Sequence, residues 1–448
     1  MGGLLYLMTS CLGNDDEVII DDWGLGNAQI STFLLSNDSI TGLSKVLFTI
    51  DQLNSKIYNR DSMPYGTVIE EKVMCNVSFD SRYGIASIMF VQSLTNDTIW
   101  GTEDSINFSA PVNITVYPLD GISTKTYEAQ INIHQVNPDI MIWQKYTDLF
   151  SGKKYNEMKV IPYHNSYYMY VSENGAFSLF KSAPDDIVNW EEVSLSGFPA
   201  DAVLSQIMDF EGDLFIISKS GKLYCSVAGQ NSSEGQSWSQ FGDISLKAIL
   251  GYLPENIITG RPAVLTGIVE EHDLLRFVSI GKNKSLNGGS EVPATFPLSG
   301  YSGLGYETMY HPRFVIASGR DSKNNLSDKF WSTMDGLSWA LISNDRATFS
   351  PREGAALSIY DNCFFLVGGL DASGDALNDI YVSKDHGVTW SGDSMYVMPE
   401  EYPARGFSSV IVDKNNYMLL FGGKAGKNTN VLSDLWRGRI NRLGFGKE

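Results

Sequence analysis

The feature that most constrains the fold is a repeat of about 50 residues in the second part of the chain. Tryptophans recur there at steps of 47, 48, 101 and 51 residues, and Phe296 lies where the long step would be halved. Four short strands in each repeat, arranged around an axis, are typical of a β-propeller. The aligned tryptophans are Trp143, Trp190, Trp238, Trp339 and Trp390.

The same region contains six apolar strands, one for each repeat. They are Tyr167–Ser172, Asp213–Ser218, Pro262–Val269, Arg313–Gly319, Cys363–Gly369 and Tyr417–Gly423. The last repeat has only three strands, whereas Ile140–Tyr146 has the tryptophan of an outer strand and no strands before it. We predict that these two ends pair, which closes a six-bladed propeller over residues 139–448 and leaves no exposed strand edge.

Residues 23–138 alternate short strands with polar turns, and helical periodicity is scarce. Apolar residues at every second position predict an antiparallel β-sandwich, so the whole chain is expected to be all-β. Asp120-Gly121 supplies the turn of the closing hairpin, because glycine readily adopts positive φ. This hairpin resembles the last one of the Ig-like domains in surface lipoproteins of gut-commensal bacteria. The predicted strands are Lys45–Asp51, Lys72–Phe79, Ile85–Gln92, Val112–Gly121 and Tyr127–Gln135.

The first eleven residues resemble the end of a bacterial lipoprotein signal. The apolar run Leu4–Met8 is followed by two small residues and then by Cys11, the residue that would carry the lipid. Residues 12–22 are acidic and are expected to form an extended tether. The resemblance implies a lipid-anchored protein of the outer membrane, exposed on the cell surface or facing the periplasm. The alternative is an unmodified cysteine in a poorly ordered N-terminus.

Charge and composition exclude several functional classes. The chain has 33 Lys and Arg against 52 Asp and Glu, a net charge of −19, so we do not expect it to bind nucleic acid. Its five histidines are scattered without metal-binding spacing, and we expect neither metal nor cofactor. The three remaining cysteines lie in apolar strands and are expected to be buried free thiols, with a disulfide or metal site as the alternative. We expect a monomer.

The last three repeats resemble Kelch repeats. In the final two, an apolar strand ends in a diglycine, Gly368-Gly369 and Gly422-Gly423, and a loop then leads to a strand with a tryptophan. The repeat before them has Gly319 alone. The resemblance implies close packing of the blades near the axis.

A second resemblance concerns an eight-residue turn. The pattern S-x-D-x-G-x-T-W of the Asp-box in sialidase-like propellers matches at every fixed position, and Ser332–Trp339 is a variant with its aspartate shifted by one. The resemblance implies a structural hairpin in which the carboxylate caps backbone N–H groups. The matching residues are Ser383, Asp385, Gly387, Thr389 and Trp390.

As a whole, the chain resembles an uncharacterised family of bacterial surface lipoproteins. That family has an N-terminal Ig-like domain and a Kelch-like propeller similar to the central domain of galactose oxidase. The arginine motif of sialidases and the histidine and tyrosine ligands of copper oxidases are absent from the sequence. Six-bladed sialic-acid mutarotases are similar in size and Kelch pattern, and use arginine and glutamate in the central funnel.

Four residues are candidates for such a funnel site. Arg352, Glu353 and Arg405 directly precede inner strands, and Tyr301 lies at the matching point of another blade. Two arginines and a carboxylate could hold an anionic sugar through bidentate hydrogen bonds, with Glu353 as general acid or base. The alternative is structural, with each arginine holding loops together.

Long polar loops of the last three blades are candidates for partner contacts, because loops on a rigid scaffold commonly carry binding residues. Their charged residues could equally be solvated turn residues. The residues singled out are Arg320, Asp371, Lys424 and Lys427.

The sequence thus predicts a binding or adhesion protein whose propeller recognises a glycan or a surface protein. The alternative is a carbohydrate-active enzyme of the mutarotase or lyase type acting in the funnel. A purely structural role at the cell surface is a third possibility.

Overall fold

The structure, a computed structural model, describes residues 24–69, 72–81, 83–92, 96–228 and 235–444. The chain divides into two compact units after Pro138. Cys11 and the acidic segment 12–22 lie outside the described residues, so the lipid anchor and the tether stay predictions. Regular structure is almost entirely β-strand, and the short 3-10 helices are Leu43–Lys45, Leu204–Gln206 and Asn441–Gly444.

The first unit has two sheets. Its strands are β1 Ile30–Ser36, β2 Phe48–Asp51, β3 Lys56–Asn59, β4 Lys72–Phe79, β5 Ser87–Gln92, β6 Asn96–Ile99, β7 Ser105–Asn107, β8 Val112–Tyr117 and β9 Lys125–Gln130. One sheet has the order β1-β4-β7 and the other β2-β3-β9-β8-β5-β6. Neighbouring strands are antiparallel, except that β3 and β9 run parallel.

Both sheets of the first unit face one apolar core. Alternate residues of β4, Val73, Cys75 and Val77, are buried there together with residues of β5, β8 and β9 from the other sheet. Tyr127 is fully buried and donates a hydrogen bond of 2.7 Å to Gln52 Oε1, which satisfies its hydroxyl. The alternation of apolar and polar residues in the sequence therefore reflects two packed sheets, each with one face in the core and one face in solvent.

The turn between β8 and β9 has the geometry that its sequence indicates. Gly121 has φ of 67°, in the left-handed region that glycine adopts without strain. The Asp120 carboxylate accepts hydrogen bonds from the N–H groups of Ile122 and Ser123, both at 3.0 Å. The hydrogen bond from the Ser123 side chain, together with these two backbone bonds, lowers the pKa of Asp120 and closes the turn.

The described strands of the second unit form six sheets. They are β10 Met141–Asp148, β11 Glu157–Tyr163, β12 Ser166–Glu173, β13 Ala176–Ser182, β14 Glu191–Ser196, β15 Met208–Phe210, β16 Asp213–Ile217, β17 Lys222–Ser226, β18 Gly235–Ser237, β19 Ser239–Ser245, β20 Ala248–Leu253, β21 Val264–Glu271, β22 Leu274–Ile280, β23 Leu286–Glu291, β24 Ser302–Glu307, β25 Pro312–Ala317, β26 Phe330–Thr333, β27 Ala340–Leu341, β28 Ala356–Tyr360, β29 Cys363–Leu370, β30 Ala376–Ser383, β31 Ser391–Gly392, β32 Ser409–Val412, β33 Met418–Phe421 and β34 Asp434–Ile440.

Three of these sheets are built entirely from consecutive strands, and two others nearly so, because β18 pairs in parallel with β14 instead of joining its chain neighbours β17 and β19. Sheet 1 is β11-β12-β13-β14-β18, sheet 2 is β15-β16-β17-β19, and sheets 3, 4 and 5 are β20–β23, β24–β27 and β28–β31. Sheet 6 has the order β10-β34-β33-β32 and so combines the first strand of the unit with its last three. In sheet 6, β10 and β34 are antiparallel from Met141 opposite Ile440 to Asp148 opposite Asp434.

The apolar core of the second unit consists of six clusters, each shared by two sheets. The clusters join sheets 1 and 2, 2 and 3, 3 and 4, 4 and 5, 5 and 6, and 6 and 1. Four of the repeated tryptophans, Trp143, Trp238, Trp339 and Trp390, are buried within these clusters. The tryptophan period therefore marks the large side chains that fill the space between neighbouring sheets.

Three cysteines of the described residues are free thiols. Cys75 and Cys225 are buried, and Cys363 is half-buried. Burial raises the pKa of Cys75 and of Cys225 to about 12, so these thiols are not reactive thiolates at neutral pH. Within the part of the chain that the structure describes, no helix is long and apolar enough to cross a membrane.

Candidate functional site

Arg352 lies just before β28 and is completely buried. Its guanidinium group forms a two-pronged pair with Asp379 of the same sheet, with Nη1–Oδ1 and Nη2–Oδ2 distances of 2.5 and 2.9 Å. It also donates to the carbonyl oxygen of Gly368 at 2.9 Å and to two oxygens of Ser350. Its donors are thus directed at protein atoms.

Arg405 repeats this arrangement just before β32. It is 1% exposed and contacts Asp434 with Nη1–Oδ1 and Nη2–Oδ2 distances of 2.6 and 3.0 Å. It also donates to the carbonyl oxygen of Gly422 at 2.8 Å. Burial alone would raise the pKa of Asp434, but hydrogen bonds and charge from Arg405, with a hydrogen bond from Trp436, lower it overall.

The backbone of each arginine binds the preceding sheet. Gly319 N–H donates to the Arg352 carbonyl oxygen at 2.8 Å, and Gly369 N–H donates to that of Arg405 at 3.0 Å. Each arginine therefore joins two sheets, with its backbone on one and its guanidinium group on the next. We name these two places the arginine junctions.

A cavity of about 310 Å³ lies where inner strands of the second unit begin. Strands of sheets 1, 4 and 5 and the segments that flank sheets 2 and 6 all contribute to its wall. Neither Arg352 nor Arg405 lines it, whereas Tyr301, Glu353, Lys424 and Lys427 do. The structure thus separates the predicted funnel residues from one another and brings two of them together with two predicted loop lysines. Further polar lining residues are Glu157, Lys159, Ser205, Lys219, Ser302 and Ser408.

Four lysines line this space, which we name the lysine cavity: Lys159, Lys219, Lys424 and Lys427. Other lysines form ion pairs, for example Lys247 with Glu270 at 2.5 Å. Among the described residues, none of the four amines of the cavity has an ion-pair, hydrogen-bond or ring partner. In a chain with a net charge of −19, a concentration of unpaired cations is a site for negative charge.

Lys159 is the deepest of the four. It lies on β11 between the buried residues Met158 and Val160 and is half-buried itself. Together with Ser302 it also lines two adjoining cavities of about 540 and 300 Å³, so the three spaces meet around it. Burial lowers the pKa of Lys159.

Backbone hydrogen bonds hold the other lysines at the rim. Lys424 exchanges two hydrogen bonds with Gly406, of 2.7 and 2.9 Å, and Lys427 N–H donates to the Gly374 carbonyl oxygen at 3.1 Å. Lys219 N–H donates to the Asp201 carbonyl oxygen at 2.8 Å. The three side chains are therefore carried on backbone segments that hydrogen bonds hold in place.

The rest of the cavity wall contains two aromatic rings and two carboxylates. The Tyr301 hydroxyl donates to the Ile249 carbonyl oxygen at 2.7 Å, and burial raises its pKa further above the ordinary value. Phe407 also lines the cavity. The buried Glu353 accepts a hydrogen bond of 2.7 Å from Arg320, so its charge is already paired. Glu157 is the other carboxylate of the wall.

Arg320 and Asp371 lie elsewhere. They line a separate surface groove of about 740 Å³ between the loops that follow β25 and β29. Asp371 accepts hydrogen bonds from the N–H groups of Ser373 and Asp375 at 2.8 and 3.0 Å, which shapes its own loop. The four predicted loop residues thus divide equally between this groove and the lysine cavity.

The turn at residues 383–390 is closed by its aspartate. Asp385 accepts from the Ser383 hydroxyl at 2.9 Å and from the N–H and hydroxyl groups of Thr389 at 2.9 and 2.6 Å. Gly387 N–H donates to Ser383 Oγ, and Trp390 Nε1–H donates to the Gly387 carbonyl oxygen at 3.1 Å. Burial alone would raise the pKa of Asp385, but these hydrogen bonds lower it.

The related turn in sheet 4 differs from the expected variant. Asp335 keeps its spacing from the first hydroxyl, which belongs to Thr333 rather than to Ser332. It accepts from the N–H groups of Leu337 and Ser338 at 2.8 and 2.9 Å. The turn is therefore one residue shorter after the aspartate, rather than having its aspartate displaced.

Two of the four lysines of the cavity, Lys159 and Lys219, were not among the residues predicted from the sequence. The sequence holds one clue to Lys159, which is a charged residue between the apolar residues Met158 and Val160 of a short strand. Nothing in the sequence links Lys219 to the others. No group of three or more His, Cys, Asp or Glu suited to a metal ion occurs among the described residues.

Comparison with known proteins gives the family. The model of the DUF6242 beta propeller domain matches residues 137–448, and that of the DUF6242 N-terminal domain, a domain of unknown function, matches residues 25–131. No curated protein matches. A solved structure described as "Structure of YjhT" is similar over 63% of this chain and 95% of that chain, with 13% identity and a TM-score of 0.44. The chain therefore belongs to the DUF6242 family, and its second unit is the β-propeller domain of that family.

Proposed function

We propose that this protein is a binding protein whose propeller holds an acidic saccharide in the lysine cavity. The observation that carries the proposal is the set of four unpaired lysines around one space of about 310 Å³. Ammonium groups donate up to three hydrogen bonds each and attract carboxylate or sulfate groups, most strongly inside a cleft with a low dielectric constant. The opposite net charge of the whole chain makes this local excess a specific feature.

The neutral part of the wall favours a saccharide over a simple anion. Tyr301 and Phe407 offer apolar ring surface, and Ser205, Ser302 and Ser408 offer hydroxyl groups. A sugar ring presents apolar C–H faces together with hydroxyl edges, so a site of mixed aromatic and hydroxyl character suits it. The cavity volume lies at the lower end of the range for small-molecule sites, which fits one or two sugar units.

The architecture that we propose for the propeller is a closed ring of six blades. Six sheets and six shared apolar clusters support it, because each sheet packs against two neighbours and sheet 6 packs against sheet 1. The lysine cavity then lies at one end of the central channel, where residues from five blades converge. A rigid ring would hold these residues in place with little ordering cost on binding.

Catalysis on the saccharide is the alternative function, of the mutarotase or lyase type. It requires a free acid and base at the ligand. Glu353 is paired with Arg320, and the Tyr301 hydroxyl is bonded to a backbone carbonyl oxygen. The residue predicted as acid or base is thus already paired, whereas four lysines are available to hold an anion, so binding is the better supported function.

The finer family features are proposals as well. The hydrogen bonds of Asp385 and Asp335 support Asp-box turns, and Gly368-Gly369 and Gly422-Gly423 support the Kelch type of blade. Two sheets around one core support an Ig-like first unit.

We propose that Cys11 carries a lipid that anchors the protein in the outer membrane, which rests on the apolar and small residues before it. Cys11→Ser should move the protein from the membrane fraction to the soluble fraction. Unchanged fractionation would contradict the anchor.

The proposed ligand class can be tested with a glycan array that contains neutral and acidic saccharides. The full chain should bind acidic members, and the Lys424→Gln/Lys427→Gln variant should bind them about tenfold or more weakly, since a hydrogen bond to a charged group contributes roughly 1.5–3 kcal/mol. Lys222→Gln/Lys323→Gln is the matched control, because it removes the same charge from exposed positions outside the cavity. Equal losses in both variants, or a preference for neutral glycans, would overturn the proposal.

A further inference from the structure

Lys159 differs from the rim lysines in where it is held. Met158 and Val160 on either side of it are buried in the cluster between sheets 6 and 1. The Val160 N–H donates to Ser409 Oγ of sheet 6 at 2.8 Å, and Lys159 lies opposite Tyr170 in the pairing of β11 with β12. The backbone is thus fixed from both sides, and the side chain lines the lysine cavity.

Its amine has no partner among the described residues, although three cavities meet around it. A structural lysine in such a place would be expected to form an ion pair, because an unpaired buried charge is costly. We propose that Lys159 is a nucleophile that captures the carbonyl carbon of an anionic aldehyde or ketone as a reversible imine. The inference shares the cavity with the proposed function but does not require that the ligand be a glycan.

The surroundings suit the chemistry of an amine nucleophile. Burial lowers the pKa of Lys159 and so increases the neutral fraction that carries a free lone pair. Lys219, Lys424 and Lys427 line the same cavity, attract a carboxylate-bearing ligand and disfavour a further positive charge. Glu157, two residues earlier on the same strand, lies on the same face as Lys159 and can exchange protons with the reacting groups.

The reaction balances without an oxidant or reductant. The amine nitrogen attacks the carbonyl carbon, a C–N bond forms, and the electron pair of the C=O π bond moves to oxygen, which takes a proton. The carbinolamine then loses that oxygen as water while the nitrogen loses its protons, and a C=N bond results. The net change is one carbonyl compound and one amine converted into one imine and one water. The ligand class is an aldehyde or ketone that also carries a carboxylate, including the open-chain form of an acidic sugar.

The test is reductive trapping of the full chain with glyoxylate and cyanoborohydride at neutral pH, with rates for each lysine measured by peptide mass spectrometry. Lys159 should be carboxymethylated at least about ten times faster than the exposed Lys222 and Lys323, which serve as internal references in the same molecule. Glycolaldehyde, a neutral aldehyde of similar size, should label Lys159 more slowly than glyoxylate does. That preference should shrink in Lys424→Gln/Lys427→Gln.

Labelling of Lys159 at the rate of the two reference lysines would overturn the inference, and this comparison needs no variant that must fold. Lys159→Arg should in addition remove the fast site. Slow labelling with intact binding of acidic glycans would reject the imine alone. Fast labelling without any glycan binding would reject the proposed saccharide and retain the nucleophile.

Discussion

The arginine junctions and the lysine cavity use positive charge in opposite ways. At the junctions, Arg352 and Arg405 are buried and each is held by a carboxylate and by backbone carbonyl oxygens. In the cavity, four lysines have no such partner. The planar guanidinium group of arginine suits a permanent bidentate pair with a carboxylate, whereas the compact ammonium group of lysine suits a reversibly bound ligand. At the junctions, positive charge thus joins neighbouring sheets, whereas in our proposal the positive charge of the cavity holds a ligand.

The largest loss of unfolding free energy should come from a substitution at one of the arginine junctions. Arg405→Ala leaves Asp434 buried without its partner, and removing one member of a buried pair costs about 3–5 kcal/mol of unfolding free energy. Arg405→Lys should also be destabilising, because an ammonium group cannot reproduce the fork. Chemical denaturation of the propeller transition measures both losses.

Lys414→Ala is the matched control for this prediction. Lys414 pairs with Asp185 at 2.6 Å, but both side chains are mostly exposed, so its loss should change the unfolding free energy by less than about 1 kcal/mol. If Arg405→Ala proved no more destabilising than Lys414→Ala, the junctions would not be structural. The two arginines would then return as candidates for ligand contacts.

Most of the fold could be predicted from the sequence, but the grouping of the candidate site residues could not. Period-two strands, the tryptophan spacing and the diglycines are local patterns, and local patterns specify strands and turns. The partners of the arginines are not local: Asp379 and Asp434 lie 27 and 29 residues further along the chain. The sequence therefore placed Arg352 and Arg405 in the funnel beside Glu353.

The lysine cavity was harder to foresee, for a related reason. Its residues come from five sheets and the segments that flank them, and only the packing of those sheets brings Lys159 near Lys424. Lys424 and Lys427 could be singled out because they are cations in the polar loop of an otherwise acidic protein. Lys219 lies in an ordinary polar turn, and its sequence context contains no sign of a shared cavity.

An intermediate loss of unfolding free energy is expected when a carboxylate that accepts hydrogen bonds from neutral donors, and not from arginine, is removed. Asp385→Ala removes acceptors for one N–H and two hydroxyl groups, so it should lower the unfolding free energy by about 1–2 kcal/mol. Asp335→Ala should have a similar effect, because its turn has a similar set of bonds. Denaturant titration of both variants, with the exposed Lys384→Ala as control, measures this. Effects as large as that of Arg405→Ala would contradict the ranking.

The smallest change in unfolding free energy should be an increase, and its size should depend on pH. Burial lowers the pKa of Lys159 in the folded protein below the ordinary value of 10.5. Between these two pKa values the unfolded chain binds more protons than the folded one, so the contribution of Lys159 to stability rises with pH. Below the folded pKa, the full cost of burying the charge remains. Lys159→Met should therefore be more stable than the natural protein at neutral pH, by about 1 kcal/mol, since the half-buried position of Lys159 moderates the cost.

That advantage of Lys159→Met should decrease as the pH approaches 10.5, and Lys222→Met, which changes an exposed lysine, should show no such trend. Denaturant titrations across the alkaline range would measure it. A natural protein more stable than Lys159→Met at every pH would mean that the ammonium group is stabilised in the folded state. Lys159 would then stabilise the fold, as the junction arginines do. The proposed contrast between structural arginines and ligand-binding lysines would not hold for Lys159.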